Sequence, residues 1–127
     1  MPKILNIVET AYRGTLEEQD DTVLWLSHML KNAGADISIL LRANAVNYAV
    51  RGQDASGLCF GEIVMTHPPE IDKDVEKIIQ KGVTVYLVKE DAEERGLSDT
   101  DLISGVQKVT RGQLPELIDQ PDQVWHW

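Results

Sequence analysis

The sequence contains one cysteine, Cys59, so an intramolecular disulfide is excluded and any thiol chemistry must run through that residue. It lies in Gly57-Leu58-Cys59-Phe60-Gly61, with His67 eight residues on. A thiol becomes a useful nucleophile as its thiolate, which a nearby cation or a helix N-terminus stabilises. Arg13, Arg42 and Arg51 can supply positive charge if the loops that carry them converge on Cys59. The plainer reading is a small buried hydrophobe between Leu58 and Phe60, since free cysteine is among the most buried residue types.

A second group of chemical residues is acidic: Glu90, Asp91, Glu93 and Glu94. Such a cluster can hold a metal or a cationic partner, and Glu90 and Asp91 are the candidates for binding. Carboxylates early in a helix also simply complement its dipole, and that reading serves equally for Glu17, Glu18, Asp20 and Asp21. Three scattered histidines and one cysteine show no metal-ligand spacing, so no metal site is expected. Tyr12-Arg13-Gly14 before a helix can hold an anion. It lacks the glycine pattern of dinucleotide and P-loop sites, and no cofactor is expected.

These residues need a scaffold. Lys3 to Glu9 is a nearly continuous apolar run of the kind buried on both faces of a sheet. Thr15 and Glu18 form a capping box for a helix reaching about Ala33, with Gly34 as its stop. A second strand follows at Asp36 to Leu41, then a short helix at Ala45 to Val50. Arg51 to Thr66 is the longest irregular stretch, with a short strand expected at Glu62 to Met65; long loops in compact domains are often functional. Pro68 and Pro69 open a helix to Lys81, and the third strand is Val83 to Val88. Short helices are expected at Asp91 to Glu94 and Leu114 to Ile118, with strands at Val106 to Val109 and Gln123 to Trp127. Ser98 and Asp101 look like another capping box, on a single turn.

Strands alternating with helices predict a doubly wound α/β domain, its five-stranded sheet mostly parallel with helices on both faces. Ligands bind such sheets outside the carboxyl ends of the strands. The loops after the first three strands should reach that edge, which would place Cys59 and His67 near the Glu90-Asp91 turn.

The 127 residues suit one domain. Twelve Lys and Arg against twenty-one Asp and Glu leave a net charge of −9, which argues against direct nucleic-acid binding. No apolar run nears the roughly 20 residues that span a bilayer, so no membrane role is expected. Nor does a signal peptide open the chain, so a reducing cytoplasm is the expected location. Alternation turns Trp125 and Trp127 to one face of the last strand and His126 to the other. Two tryptophans at a chain end suit either a subunit contact or packing on the chain's own helices. For His28, mid-helix, a surface or packing role is expected.

The order of short motifs resembles a known family. Gly82-Val83-Thr84-Val85-Tyr86 is followed by Arg95-Gly96-Leu97, then by Asp101-Leu102-Ile103-Ser104-Gly105-Val106 and a last helix and strand. Ahead of them, Asn47-Tyr48-Ala49-Val50-Arg51-Gly52-Gln53 matches an "A-x-x-GQ" segment. Over essentially the whole chain this is similar to the DsrE/DsrF/TusD-like sulfur-relay family. The resemblance implies a five-stranded parallel sheet, a trimeric or hexameric homo-oligomer, a sulfur-carrier protein as partner and, in active members, a sulfur-carrying cysteine just after the third strand. Here those positions read Val88-Lys89-Glu90-Asp91-Ala92, without cysteine. The expected function is therefore sulfur metabolism, with sulfane sulfur carried on Cys59 or with the chain as a subunit without chemistry of its own. The alternatives are a small-molecule or metal-binding module, or an oligomeric scaffold, on the same fold.

Overall fold

A computed structural model describes residues 2–11, 22–53, 59–64 and 70–127. In chain order the elements are β1 (Lys3–Val8), α1 (Thr22–Asn32), β2 (Asp36–Leu41), a 3-10 segment (Ala43–Ala49), β3 (Cys59–Phe60), β4 (Ile63–Val64), α2 (Ile71–Gln80), β5 (Thr84–Val88), α3 (Lys89–Glu94), β6 (Gln107–Val109), a 3-10 turn (Arg111–Gln113), α4 (Leu114–Asp119) and β7 (Gln123–His126). Five strands form one sheet in the order β6-β5-β2-β1-β7, with every pairing parallel. The expected α/β architecture is present. β3 and β4 form a separate antiparallel hairpin.

The three central strands β1, β2 and β5 are largely buried because side chains from other elements pack on both of their faces. On one face Ile4, Val8, Ile37, Ile39, Val85 and Leu87 pack under α1, α2 and the 3-10 segment, which contribute Val23, Leu24, Val75, Ile78 and Tyr48. On the other, Leu5, Ile7, Leu40 and Val88 lie under Leu114, Leu117 and Ile118 of α4. One polar side chain interrupts the first face. Asn6 is fully buried in β1. It donates to Ser27 Oγ at 2.9 Å and accepts from Trp127 Nε1 at 3.2 Å, and Ser27 Oγ donates on to the Val23 carbonyl at 2.8 Å. A buried amide needs such partners, and here they tie the chain's last residue to β1 and α1.

Element ends follow local chemistry. Gly34, with φ +94, ends α1 in the left-handed region glycine favours. The short helix expected at Ala45 is a 3-10 segment beginning two residues earlier. Its entry residue, Ala43, has φ +50, a costly conformation for a residue with a Cβ. Ser98 and Asp101 do close a turn: the Ser98 N–H and hydroxyl both donate to Asp101 Oδ2, at 2.8 and 2.9 Å. A capping box that the sequence reading missed joins Thr110 to Gln113. The expected Thr15–Glu18 box and the Pro68-Pro69 helix start lie outside the described residues.

Candidate functional site at the carboxyl edge of the sheet

With β1 and β7 adjacent, the strand order reverses direction at that pair. The crevice beyond their carboxyl ends is where doubly wound sheets hold ligands. Three strand ends meet there. Glu9 follows β1, Arg42 follows β2 and His126 closes β7. Glu9 Oε1 lies 3.2 Å from Arg42 Nε and 2.9 Å from His126 Nε2. Its backbone N–H donates to the Trp127 carbonyl at 3.0 Å, and the Arg42 N–H donates to the Val8 carbonyl at 3.0 Å, so the parallel ladder positions all three side chains. The Arg42 Nε–H is buried and not aimed at the carboxylate, so the contact is one of charge and not a hydrogen bond. The Tyr48 hydroxyl donates to the Thr10 carbonyl at 3.3 Å and pins the start of the loop leaving β1.

Arg42 leads directly into a second cluster. The Ala43 N–H donates to Asp91 Oδ2 at 2.7 Å. Arg111 pairs through Nη2 with Asp91 Oδ1 and, at 2.9 Å, with Glu94 Oε1. The Arg111 N–H donates to Glu90 Oε2 at 2.9 Å. Arg95 reaches the Asn44 Oδ1 from Nε and Nη2, at 3.2 and 3.0 Å, and holds the Asp91 carbonyl through Nη1 at 3.0 Å. The carboxylates of α3 are thus latched to β2's exit and to the turn after β6. Burial of Asp91 works to raise its pKa, but the Ala43 N–H and the Arg111 guanidinium outweigh that and hold it below the usual carboxylate range. The Arg111 N–H does the same for Glu90, against a smaller opposing effect of burial. Arg111 is in turn stabilised as a cation, first by the Asp91 hydrogen bond and then by that of Glu94.

The arrangement makes α3 a poor metal site. Its carboxylates turn to different partners, and Glu93 faces Lys89 at 3.9 Å along the helix. No three His, Cys, Asp or Glu side chains among the described residues come together closely enough to hold a metal ion.

The sequence-derived candidates scatter. Glu90, Asp91 and Arg42 do line the carboxyl edge. Arg51 is spent elsewhere: its Nε donates to the Leu102 carbonyl at 2.8 Å, and its N–H to the Asp101 carbonyl at 2.8 Å. Arg13 and His67 lie outside the described residues. Cys59 is exposed, at the start of the β3–β4 hairpin. Gly61, with φ +66, takes the first central place of the two-residue loop, where a type II′ turn requires a positive φ. Among the described residues no hydrogen bond or ion pair links this hairpin to the Glu90-Asp91 turn. Glu9, His126, Asn44, Arg95 and Arg111 were not among the sequence-derived candidates for the site. Only strand order brings the first two together, and sequence alone does not give strand order.

The geometry matches a known pattern of sequence. The family model described as DsrE/DsrF-like matches residues 3–126. The chain belongs to the DsrE/DsrF-like family. The crystal structure of the YchN protein from E. coli is similar over the full length of both chains, with 26% identity and a TM-score of 0.78. Two proteins of unknown function share the fold at lower identity. BT1422 from Bacteroides thetaiotaomicron has 17% identity and a TM-score of 0.67, over 98% of this chain and 95% of its own. MTH1491 from Methanobacterium thermoautotrophicum has 20% identity and a TM-score of 0.55, over 92% and 87%. No curated protein matches the sequence. Within this DsrE/DsrF-like chain, the short helix after the third strand of the sheet carries the latched Asp91 and no cysteine. No helix of the described residues is long and apolar enough to cross a membrane.

Proposed function

We propose that this DsrE/DsrF-like protein acts in sulfur metabolism and carries sulfane sulfur on Cys59. The observation that carries the reading is the exposure of that thiol on a short hairpin outside the main sheet. A persulfide donor, R–S–SH, must bring its outer sulfur within reach of the attacking thiolate. An exposed hairpin permits that approach by another protein. The Cys59 thiolate attacks the outer sulfur, the donor S–S bond breaks, R–S⁻ leaves and Cys59–S–SH forms. The reverse attack by an acceptor thiolate returns Cys59 to its starting state, so no external oxidant or reductant is needed. The expected partner is a sulfur-carrier protein, the expected assembly a homotrimer or hexamer, and the expected compartment the reducing cytoplasm, where a lone thiol stays reduced.

One observation favours a second reading, a subunit that binds within a sulfur-relay complex without chemistry of its own. Asp91 stands in the short helix where the family resemblance expects the working cysteine, and it is fully engaged by Ala43 and Arg111. Loading the protein with a persulfide donor, desalting it and treating it with cyanide separates the two. The carrier yields about one thiocyanate per chain, and Cys59→Ser abolishes it. No thiocyanate from the unmodified chain removes the carrier reading and leaves the subunit.

A further inference from the structure

The sheet face under α4 is only half roofed. α4 has six residues and shelters Leu5, Ile7, Leu40 and Val88. Towards the amino edge, the same face presents polar side chains. Alternation puts Lys3 on the face of Leu5, Asp36 and Ser38 on that of Leu40, and Thr84 and Tyr86 on that of Val88. The register sets Lys3 beside Asp36, Ser38 beside Thr84 and Leu40 beside Tyr86. Together they line a cleft of about 240 Å³, bounded by Gln120 and Pro121 after α4. Lys31, from the last turn of α1, extends to the same edge. A Cβ on Gly82 would lie 3.9 Å from its Nζ, an ordinary contact distance, which sets the ammonium beside Gly82.

These side chains differ from those of the carboxyl edge in one respect. There, Arg111 is matched by Asp91 and Glu94, and Arg42 by Glu9. Here, among the described residues, the side chains of Lys3, Lys31, Asp36, Ser38, Thr84 and Tyr86 take no hydrogen-bond or ion partner from the protein. Two ammoniums and one carboxylate line the cleft, and beside it the Asp122 carboxylate accepts from the Lys3 N–H at 2.8 Å, on a chain whose net charge is −9.

We propose that this cleft binds a small, hydroxyl-bearing phosphate monoester. A phosphate monoester is a dianion above its second pKa of about 6, and so matches two ammonium groups. Lysine binds phosphate as a point charge, without the fixed fork that a planar carboxylate would favour. The hydroxyls of Ser38, Thr84 and Tyr86 can donate to phosphate oxygens or accept from the ligand. Asp36, which would repel a bare anion, is an acceptor for ligand hydroxyls. That is why the ligand carries both groups. The volume lies below the roughly 300–1,000 Å³ of drug-sized sites, which suits a ligand of about ten non-hydrogen atoms. The site lies at the amino edge, opposite the candidate site above, and does not depend on Cys59.

A ¹⁵N-resolved NMR titration of the full chain with glycerol 3-phosphate tests this, with inorganic phosphate and glycerol as separate arms. Saturable shifts are expected at the amides of Ser38, Gly82 and Thr84. Lys3→Gln and Lys31→Gln should each weaken binding at least ten-fold, with the rest of the spectrum unchanged to show that the fold persists. Inorganic phosphate should bind the same amides more weakly, and glycerol not at all. The proposal is overturned by the absence of saturable shifts up to about 10 mM ligand, by shifts that ignore the lysine substitutions, or by inorganic phosphate binding as well as the ester. Cleft amides that respond to protein concentration instead of ligand, as when a second copy covers this face, overturn it as well.

Discussion

Asp91 shows how one side chain can change what a position is for. A carboxylate in a short acidic helix looks like a solvated helix start, yet it is buried and accepts from the Ala43 N–H. Removing it strands that N–H and one face of Arg111. Asp91→Ala should therefore cost about 1–3 kcal/mol in urea unfolding. Glu93→Ala, two residues on and exposed, should stay within about 0.5 kcal/mol. The pH dependence has a fixed sign. The folded protein lowers the Asp91 pKa, so its contribution is fully present above the ordinary carboxylate value of about 3.9 and is lost as pH falls through the lower folded value. The stabilities of unmodified and Asp91→Asn protein should differ most above that window, with the difference shrinking through it and vanishing below it. Cys59 makes the contrasting case. Exposed and outside the core, it should react fully with a thiol reagent in the native state, and Cys59→Ser should leave stability within about 0.5 kcal/mol.

At the level of elements, the joints hold strain and close packing that the core does not. Ala43 begins the 3-10 segment at φ +50, with its N–H donating to Asp91. Glycine tolerates that backbone, so Ala43→Gly should be neutral or stabilising by up to about 1 kcal/mol, while a β-branched residue there should destabilise. Gly105 precedes β6, and a Cβ there would lie 2.9 Å from Ile79 Cγ2 and 3.0 Å from its Cδ1. The branch at Ile79 Cβ leaves little freedom to yield, so Gly105→Ala should cost about 1–3 kcal/mol by thermal or urea unfolding. Most elements were legible in the sequence because their apolar periods are long or their ends are marked, as with β1 and the Gly34 stop. The 3-10 turn at Arg111 was not, since a capping box on three residues carries no period. The hairpin at Cys59 was half legible: Glu62 to Met65 read as a strand, but its two-residue partner was too short to register.

For the whole molecule, sequence specified the layers and left the neighbours undetermined. Alternation of strands and helices gave a parallel sheet. It could not say that β7 pairs with β1, and so could not bring Glu9 and His126 together at the point where strand order reverses. Nor could it tell that Arg51 would be held by Leu102 and so be withdrawn from the thiol. The family resemblance implied a thiol just after the third strand, and the structure shows Asp91 held there by Ala43 and Arg111. Exposed Trp25, Met29, Val124 and Trp127 accord with the proposed homo-oligomer. Sedimentation equilibrium at micromolar concentration should give a trimer or hexamer, and a monomer would contradict that assembly.

The claim on which the functional account rests is that sulfur is held on the hairpin thiol, while the carboxyl edge stays closed by its ion pairs. The intact mass of the native protein after incubation with a persulfide donor tests it most directly. The account predicts a gain of one sulfur atom in the unmodified chain and none in Cys59→Ser. An unchanged mass in the first, or the same gain in the second, would contradict it.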